Sequence, residues 1–561
     1  MRHVFVLLTC LAAVAALVVA EGCRPNLNRS DGDADGDVDG DGDADIPCES
    51  LFDTDGDTIA DQHEGDGDLD GDGVANHLDD DSDGDGISDR EEAGDDDICT
   101  HPANHDTDEW PDAYDRDSDN DGLSDADEVS GDNPTDPYNP DSDGDGFTDL
   151  AEVAAGVDPN DEWVGIPEGD FFVVLPYGGP EEHRNLTFGT DIEIADVYFL
   201  VDTTASMSDT ISDVVSSLES VIVPGIQATI DDAWIGVGRF EDFTISSYGS
   251  SGTHAGVVPG LPTGDVPFFN HTVVRDPNTE MALIMEAVGY LAHTGIGGDV
   301  PESHTEGLYQ TATGEGNPGF VDPQVCEVRP DDPVPPRGYP CFRPGALPIV
   351  VLVTDADMHN GPGGSNSYVG VPGHTVDEAI TELNAIGARV IGVGSAAMSA
   401  AALTDMEYVA TGTGTVDVTG APLVYDCAAE VSYDVVDAIS DLAGGTPQDV
   451  STTTEDLPDW DEYLARGEPE VDARGFIRAI RPSRAIPPEG VTGGIDDTTF
   501  RMVIPGTRVE FEVVFQNDFV GPRDTSRIYE ALIIVLGNGV ARLDERHVYI
   551  VVPPEGEEIL I

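Results

Sequence analysis

Oxygen-bearing side chains recur along residues 53–152 with one spacing, which repeats in five segments. Numbered from its first aspartate, each segment carries Asp, Asn or Glu at loop positions 1, 3, 5, 9 and 12. Ca²⁺ prefers about six to eight hard oxygen ligands, and alternate residues of a tight loop can point inward together. The spacing therefore predicts five calcium loops, because a merely solubilising acidic tail would not keep an acid at position 12. We number them repeat 1 (Asp53, Asp55, Asp57, Asp61, Glu64), repeat 2 (Asp68, Asp70, Asp72, Asn76, Asp79), repeat 3 (Asp81, Asp83, Asp85, Asp89, Glu92), repeat 4 (Asp117, Asp119, Asp121, Asp125, Glu128) and repeat 5 (Asp141, Asp143, Asp145, Asp149, Glu152).

Position 6 of these loops must turn sharply, and it is glycine in all repeats except repeat 1, which has Thr58. The segments resemble thrombospondin type 3 repeats. Paired EF-hands are disfavoured because no amphipathic helices separate the loops. Without cations the carboxylates repel one another, so we predict that residues 51–160 form a stalk whose folding requires calcium. One apolar residue per loop, at position 7, is expected to pack beneath the ion: Ile59, Val74, Ile87, Leu123 and Phe147.

The acidity of the chain is extreme and uneven. Lys and Arg total 23 against 113 Asp and Glu, which gives a formal net charge of -90 concentrated between residues 31 and 161. A charge of this sign excludes nucleic acid as a partner. Residues 31–45 consist almost only of Asp, Gly and Ala and can bury nothing, so we interpret 23–50 as a solvated tether.

The N-terminus predicts export. Arg2 and His3 precede an apolar run over residues 4–20, which is typical of a secretion signal spanning residues 1–22. The segment that ends in Gly22-Cys23 resembles the bacterial lipobox, which implies lipidation of Cys23 and an outer-membrane lipoprotein at the cell surface. Ordinary signal cleavage nearby, giving a secreted protein, is the alternative. Disulfides are then permitted, with Cys48–Cys99 and Cys326–Cys341 as plausible pairs and Cys427 as a buried free thiol.

Residues 193–445 alternate between apolar strands and amphipathic helices. Strands are predicted at 197–201, 234–240, 348–354 and 389–394, and helices at 211–222, 281–291, 376–386 and 428–442. This order predicts a doubly wound, Rossmann-like α/β domain, which we call the central domain. Such sheets bind ligands at the carboxyl ends of their strands.

The first strand end carries Asp202, Thr204 and Ser206 on alternate residues. This pattern resembles the metal-ion-dependent adhesion site of von Willebrand factor A (vWA) domains, in which Asp355 would match the distal aspartate. The resemblance implies that Mg²⁺, or Mn²⁺, is held there with a coordination position open to a carboxylate of a protein ligand. Capping of the following helix is the alternative role for these hydroxyls, and it is compatible with metal binding.

Two further stretches resemble the integrin β-subunit variant of the vWA domain. Asp299-Val300-Pro301-Glu302 is similar to a loop whose glutamate reaches the central ion and whose aspartate reaches an adjacent calcium. Asp242, after the strand at 234–240, would supply a second carboxylate to that calcium, and Asp209 matches an acidic position of a third site. His304 and His359 are expected to be surface residues rather than zinc ligands.

The flanking segments predict β structure. The tail at 468–561 shows strands at 500–504, 509–515, 529–536 and 548–552 and is expected to form a β-sandwich after a linker at 446–467. Strands at 171–175 and 185–192, within the segment 161–192, are expected to pair with the tail, so that the central domain is an insertion.

The sequence thus predicts a multidomain, cell-surface calcium-binding adhesion protein that binds a protein ligand bearing an exposed carboxylate. The alternative is a calcium-stabilised envelope protein without a dedicated ligand. Catalysis is not expected, since no nucleophile elbow, Walker loop or zinc-protease pattern is present.

Overall fold

The structure, a computed structural model, describes residues 51–107, 110–131, 133–166, 169–245, 247–252, 260–295, 297–328, 334–395, 398–426, 431–458, 469–523 and 526–554. The predicted signal, the tether, Cys23, Cys48 and Cys427 lie outside these residues. Cys326 and Cys341 form a disulfide, as expected. None of the helices in the described part of the chain is long and apolar enough to cross a bilayer.

In each calcium loop a short helical segment begins at position 9. The helices are α1 (Asp61–Glu64), α2 (Asp89–Glu92), α3 (Asp125–Ser130) and α4 (Asp149–Ala155), and repeat 2 has a 3-10 turn at Asn76–Leu78. Ile59, Ile87 and Leu123 are buried at position 7, as predicted. Val74 and Phe147 are 37% and 41% exposed, so the prediction that every position-7 side chain is packed is wrong for repeats 2 and 5.

The remaining chain contains fifteen described strands. They are β1 (Phe171–Val174), β2 (Glu182–Phe188), β3 (Ile194–Asp202), β4 (Asp232–Phe240), β5 (Phe269–Arg275), β6 (Leu347–Thr354), β7 (Arg389–Gly394), β8 (Val424–Asp426), β9 (Gln448–Asp456), β10 (Ile477–Ile486), β11 (Val491–Ile495), β12 (Thr499–Val503), β13 (Arg508–Phe515), β14 (Arg527–Gly537) and β15 (Ala541–Val552).

The central domain is a doubly wound α/β fold. Its sheet has the order β5-β4-β3-β6-β7-β8, and all neighbours are parallel except β4 with β5. Alternate residues of β3 face opposite layers: Val197, Phe199 and Val201 join one apolar cluster, and Tyr198 and Leu200 join the other. The helices that cover the two faces are α5 (Ser208–Ser217), α6 (Val223–Gln227), α7 (Pro277–Gly289), α8 (His304–Thr313), α9 (Val376–Ala385), α10 (Ala400–Gly412) and α11 (Val431–Gly445).

The other strands form a six-stranded sheet, β1-β15-β14-β9-β12-β11, and a three-stranded sheet, β10-β13-β2. Phe500 of the larger sheet and Phe511 of the smaller one lie with ring centroids 5.1 Å apart, so the two sheets pack face to face. β1 pairs with β15 and β2 pairs with β13, which joins the strands before the central domain to those after it, as predicted.

The prediction of a linker at 446–467 is wrong for Gln448–Asp456, because these residues form β9, a strand inside the six-stranded sheet. This strand was missed because Ser451, Thr452, Thr453 and Thr454 give it no apolar alternation. Threonine is nevertheless β-branched and favours extended backbone.

Repeats 4 and 5 pack against the six-stranded sheet. Leu123 and Leu150 belong to one apolar cluster with Ile528, Tyr549 and Val551 of β14 and β15. These two repeats are therefore not a free-standing stalk, because Leu123 and Leu150 are covered by the sheet.

Candidate functional site

Five side chains predicted to hold a cation meet at the carboxyl edge of the central sheet. We call Asp202, Thr204, Ser206, Glu302 and Asp355 the cation pocket. Asp202 is the last residue of β3, Asp355 follows β6, and Glu302 precedes α8. Because β3 and β6 are parallel neighbours, their ends open at the same edge of the sheet, which brings Asp202 and Asp355 together.

Hydrogen bonds order the pocket. The Thr204 hydroxyl donates to Asp202 Oδ1 at 2.7 Å, and the Ser206 hydroxyl donates to Asp355 Oδ1 at 3.1 Å. The Thr204 and Ser206 hydroxyl oxygens are 3.3 Å apart. Thr354 donates to Asp202 Oδ2 at 2.9 Å, so a residue beside the pocket fixes the orientation of its central carboxylate.

Glu302 is the strongest indication of a cation. Its side chain is 3% exposed, and its Oε2 atom finds no hydrogen-bond partner among the described residues. Burial, followed by the charges of Asp202 and Asp242, raises the pKa of Glu302 to about 12. Burial also raises the pKa of Asp202 to about 7, against the hydrogen bonds that it accepts from Thr204 and Thr354. Several hard oxygens in one largely buried pocket, with a buried oxygen of Glu302 left unpaired among the described residues, fit a divalent cation.

A second cluster lies beside the pocket. His359 Nε2 is 3.3 Å from Asp242 Oδ2 and 3.4 Å from Asp299 Oδ1, and ligand atoms of all three residues lie within 4.8 Å of one another. The Tyr368 hydroxyl donates to Asp242, and the Tyr368 ring stacks on His359 with centroids 4.1 Å apart. Asp242 and Asp299, both predicted as ligands of an adjacent calcium, thus lie close together. His359, which was not predicted as a ligand, adds a nitrogen atom to this cluster.

Both histidines were wrongly predicted to be surface residues. His359 is 3% exposed, and His304 is fully buried between Glu302 O at 3.0 Å and the Thr354 hydroxyl at 2.7 Å. His304 therefore helps to hold Glu302 and Thr354 in position, through hydrogen bonds to both residues. Asp209, predicted for a third site, is exposed in the first turn of α5.

The five repeats share one loop geometry. In repeat 3, Asp89 Oδ1 accepts the Ser82 N–H at 2.8 Å, and Asp85 Oδ1 accepts the Ile87 N–H at 2.7 Å. The position-6 residue has a positive φ in every repeat, from 88° at Thr58 to 105° at Gly146. The carboxylates at positions 1, 3 and 5 lie close enough to share an ion in repeats 1, 2 and 3.

Residues 81–93, 117–140 and 141–162 match the family model of the bacterial TSP3 repeat. The matched residues coincide with repeats 3, 4 and 5, and the match supports calcium binding by this region. No curated protein matches the sequence.

Three solved structures are distantly similar to this chain. The von Willebrand factor type A from Catenulispora acidiphila is 12% identical, with 68% of this chain and 72% of that chain covered and a TM-score of 0.29. The pilus adhesin SpaC from Lactobacillus rhamnosus GG is 12% identical, with 66% and 45% covered and a TM-score of 0.28. Proximal thread matrix protein 1 from the mussel byssus is 15% identical, with 48% and 50% covered and a TM-score of 0.27. The chain therefore spans about half the length of the last two proteins.

The described residues contain a sixth loop, not predicted from the sequence, whose hydrogen bonds resemble those of the five repeats. Asp112 N donates to Ala103 O at 3.0 Å and Asp112 Oδ1 accepts the His105 N–H at 2.9 Å, as position 9 does in the other repeats. Thr107 N donates to Asn104 Oδ1 at 2.5 Å, and Thr107 has a φ of 68°. The loop was missed because it begins with Asn and has Glu109 where glycine usually stands. The spacing that could have revealed it is Asn104, Asp106, Asp108, Asp112 and Asp115, of which Asp108 lies outside the described residues.

We expect Gly73→Thr to weaken repeat 2. A Cβ atom at Gly73 would meet no heavy atom within 4 Å, but the φ of 101° is strained for any β-branched residue. The strain should cost roughly 1–3 kcal/mol and raise the calcium concentration at which residues 68–79 become protected from hydrogen exchange. Gly73→Asn is the control, because Asn tolerates positive φ better. Equal effects of the two variants would contradict the argument.

Proposed function

We propose that this protein is a cell-surface, calcium-binding adhesion protein that captures a protein ligand through the cation pocket. The observation that carries the proposal is Glu302, whose buried and partly unpaired carboxylate stands among other hard oxygens at the sheet edge. A carboxylate in such a place is costly unless a cation balances it. The TSP3 repeats support calcium binding and an extracellular location.

The residues of the pocket fit Mg²⁺ or Mn²⁺, since two hydroxyls and three carboxylates are hard donors at one edge of the sheet. A cation held there would offer an open position to a carboxylate of a partner protein. Asp242, Asp299 and His359 would hold an adjacent cation.

The proposal includes no catalytic activity. The hydroxyls of Thr204 and Ser206 donate to the carboxylates of Asp202 and Asp355, and we assign them to cation binding rather than to nucleophilic attack. We propose further that the integrin β-like variant of the vWA domain describes the central domain, and that lipidation of Cys23 anchors the chain to the membrane.

We expect metal-dependent ligand capture by the full chain. Beads that carry the protein should adhere to a panel of matrix proteins in Mg²⁺ and Ca²⁺, and EDTA or Asp202→Ala should abolish adhesion. Ser206→Ala and Ser208→Ala form a matched pair. The Ser206 hydroxyl contacts Asp355, whereas the Ser208 hydroxyl donates to the backbone oxygen of Ala205. Only Ser206→Ala should lower adhesion and the affinity for Mg²⁺ in isothermal titration.

Adhesion that ignores both EDTA and Asp202→Ala would overturn the proposal. Mg²⁺ binding that depends on Asp202, without adhesion to any surface, would favour the alternative of a metal-stabilised envelope protein.

A further inference from the structure

A carboxylate of repeat 3 lies within the cluster of acids that belongs to repeat 1. Ligand atoms of Asp57, Glu64 and Asp89 lie within 4.8 Å of one another. The three side chains are buried, with 4%, 6% and 0% exposure. Asp57 and Glu64 occupy positions 5 and 12 of repeat 1, whereas Asp89 occupies position 9 of repeat 3. Repeat 2 separates the two loops in sequence but contributes no side chain to this group.

The role of Asp89 in its own loop does not require a charge. Asp89 accepts the Ser82 N–H at 2.8 Å and the Ser82 hydroxyl at 2.6 Å. Asn76, at the same position of repeat 2, accepts the equivalent N–H from Leu69 at 3.2 Å with a neutral amide. A buried anion is expensive, so the carboxylate at residue 89 needs a second explanation.

Several carboxylate oxygens of this three-residue cluster have no hydrogen-bond partner among the described residues. Both carboxylate oxygens of Glu64 and Oδ2 of Asp57 are buried and have no hydrogen-bond partner in the described part of the chain. The hydroxyl of Tyr114, a residue of the sixth loop that is 9% exposed, also finds no partner there. Tyr114 belongs to one apolar cluster with Ile59 of repeat 1 and Ala93, next to repeat 3, so its side chain lies where the two repeats meet.

Repeats 1 and 3 are also joined around this cluster. The Arg90 guanidinium donates to Gly56 O at 3.0 Å, and the Thr58 hydroxyl donates to Asp95 O at 3.0 Å. Ile59 packs with Ala93 and with Tyr114. These contacts hold the two loops in register, so that the approach of Asp89 to repeat 1 is built into the fold.

The same relation recurs further along the chain. Between repeats 3 and 4, the Arg116 guanidinium donates to Asp83 O at 2.8 and 2.6 Å. Asp121 Oδ2 of repeat 4 accepts the Leu150 N–H of repeat 5 at 2.8 Å. Residues of one repeat thus contact another repeat at further points along the chain.

We propose that Asp57, Glu64 and Asp89 hold one Ca²⁺ between repeats 1 and 3, with the Tyr114 side chain packed where the two repeats meet. The proposal rests on calcium binding by the repeats. All three ligands are hard carboxylate oxygens, which select Ca²⁺ rather than a softer metal. Calcium then joins loops that are not neighbours in sequence, and repeats 1 and 3 fold as one unit with the sixth loop.

The test is hydrogen exchange of the full chain across a calcium series, with residues 52–64 followed by mass spectrometry. Asp89→Asn removes the charge, keeps an oxygen that accepts the Ser82 N–H and places an NH2 group that can donate to the Ser82 hydroxyl oxygen. It should raise the calcium midpoint for protection of residues 52–64 by roughly 10- to 100-fold, the range for loss of a group that supports a metal. Asp149→Asn is the matched control, because Asp149 is equally buried and accepts equivalent bonds from Ser142, but in repeat 5. It should leave residues 52–64 unchanged.

Glu64→Gln supplies the reciprocal measurement if Asp89→Asn folds poorly. It should raise the calcium midpoint of residues 89–92, and the double variant should cost less than the sum of the two single changes. Two outcomes would overturn the shared site alone. One is that Asp89→Asn leaves the calcium midpoint for protection of residues 52–64 unchanged, and the other is that the effects of the two changes are additive in the double variant. A wild-type chain without calcium-dependent protection at 52–64 would overturn both this site and calcium binding by repeat 1.

Discussion

Removal of calcium is expected to unfold residues 51–160 while the central domain keeps its sheet. The repeats bury acids such as Glu92 and Glu128, each 1% exposed, against small apolar clusters. Without cations these charges repel one another in a dry environment, and the clusters are too small to compensate. The central domain instead has two apolar layers that cover both faces of its sheet.

The calcium-free repeats should be least stable at alkaline pH. Burial, followed by neighbouring acids, raises the pKa of Glu64 to about 9, of Glu128 to about 10 and of Glu92 to about 11, from 4.5. The folded chain therefore holds protons that the unfolded chain has released. This contribution to stability is complete below about pH 4.5 and is lost as the pH rises through these raised values.

Small-angle scattering would measure both effects. A compact domain of about 100 residues has a radius of gyration of about 13 Å, against about 30 Å when unfolded. The full chain should therefore expand in EDTA, and more at pH 8 than at pH 5. An unchanged radius would mean that the loops are held together without cations.

The cation pocket could be predicted because its chemistry is local in sequence and its assembly follows from topology. Asp202, Thr204 and Ser206 stand on alternate residues, and parallel strands place Asp355 beside them. The calcium loops were predictable for the same reason, since each loop carries its own ligands. The sixth loop was not predicted, because it begins with Asn104 rather than aspartate and also has Glu109 where glycine usually stands.

Other contacts between distant segments could not be predicted, unlike the pairing of β1 and β2 with the C-terminal strands. Nothing near Asp89 in sequence indicates that it approaches Glu64, since the approach depends on how repeat 1 packs against repeat 3. The pairing of β9 depends on partners 48 to 87 residues away, in β12 and β14. The burial of His359 could not be predicted, because an isolated histidine gives no sequence pattern from which burial can be inferred.

One ion pair at the opposite end of β3 was equally invisible to the sequence analysis. Asp196 is fully buried, and its Oδ1 lies 2.7 Å from Arg343 Nε. Arg343 also binds Asp232 at 2.7 Å and stands 4.2 Å over the ring of Trp234. Burial raises the pKa of Asp196 to about 6, although Arg343 opposes this shift. The guanidinium therefore keeps a carboxylate charged at the start of the strand that carries Asp202.

Arg343→Ala is expected to destabilise the central domain by about 3–5 kcal/mol, the usual cost of leaving a buried charge without its partner. The pKa of Asp196 should then rise further above its unfolded value of 3.8, so the loss should grow from pH 5 to pH 8. The loss of unfolding free energy is measured by denaturant unfolding at constant calcium, followed by Trp234 fluorescence. Arg542→Ala is the control, because Arg542 pairs with the partly exposed Glu455 and Glu545 and should cost at most about 1 kcal/mol. Since Arg343 contacts the far end of β3, the folded variant should bind Mg²⁺ as the wild type does, and a weaker affinity would show that the two ends of the strand are coupled.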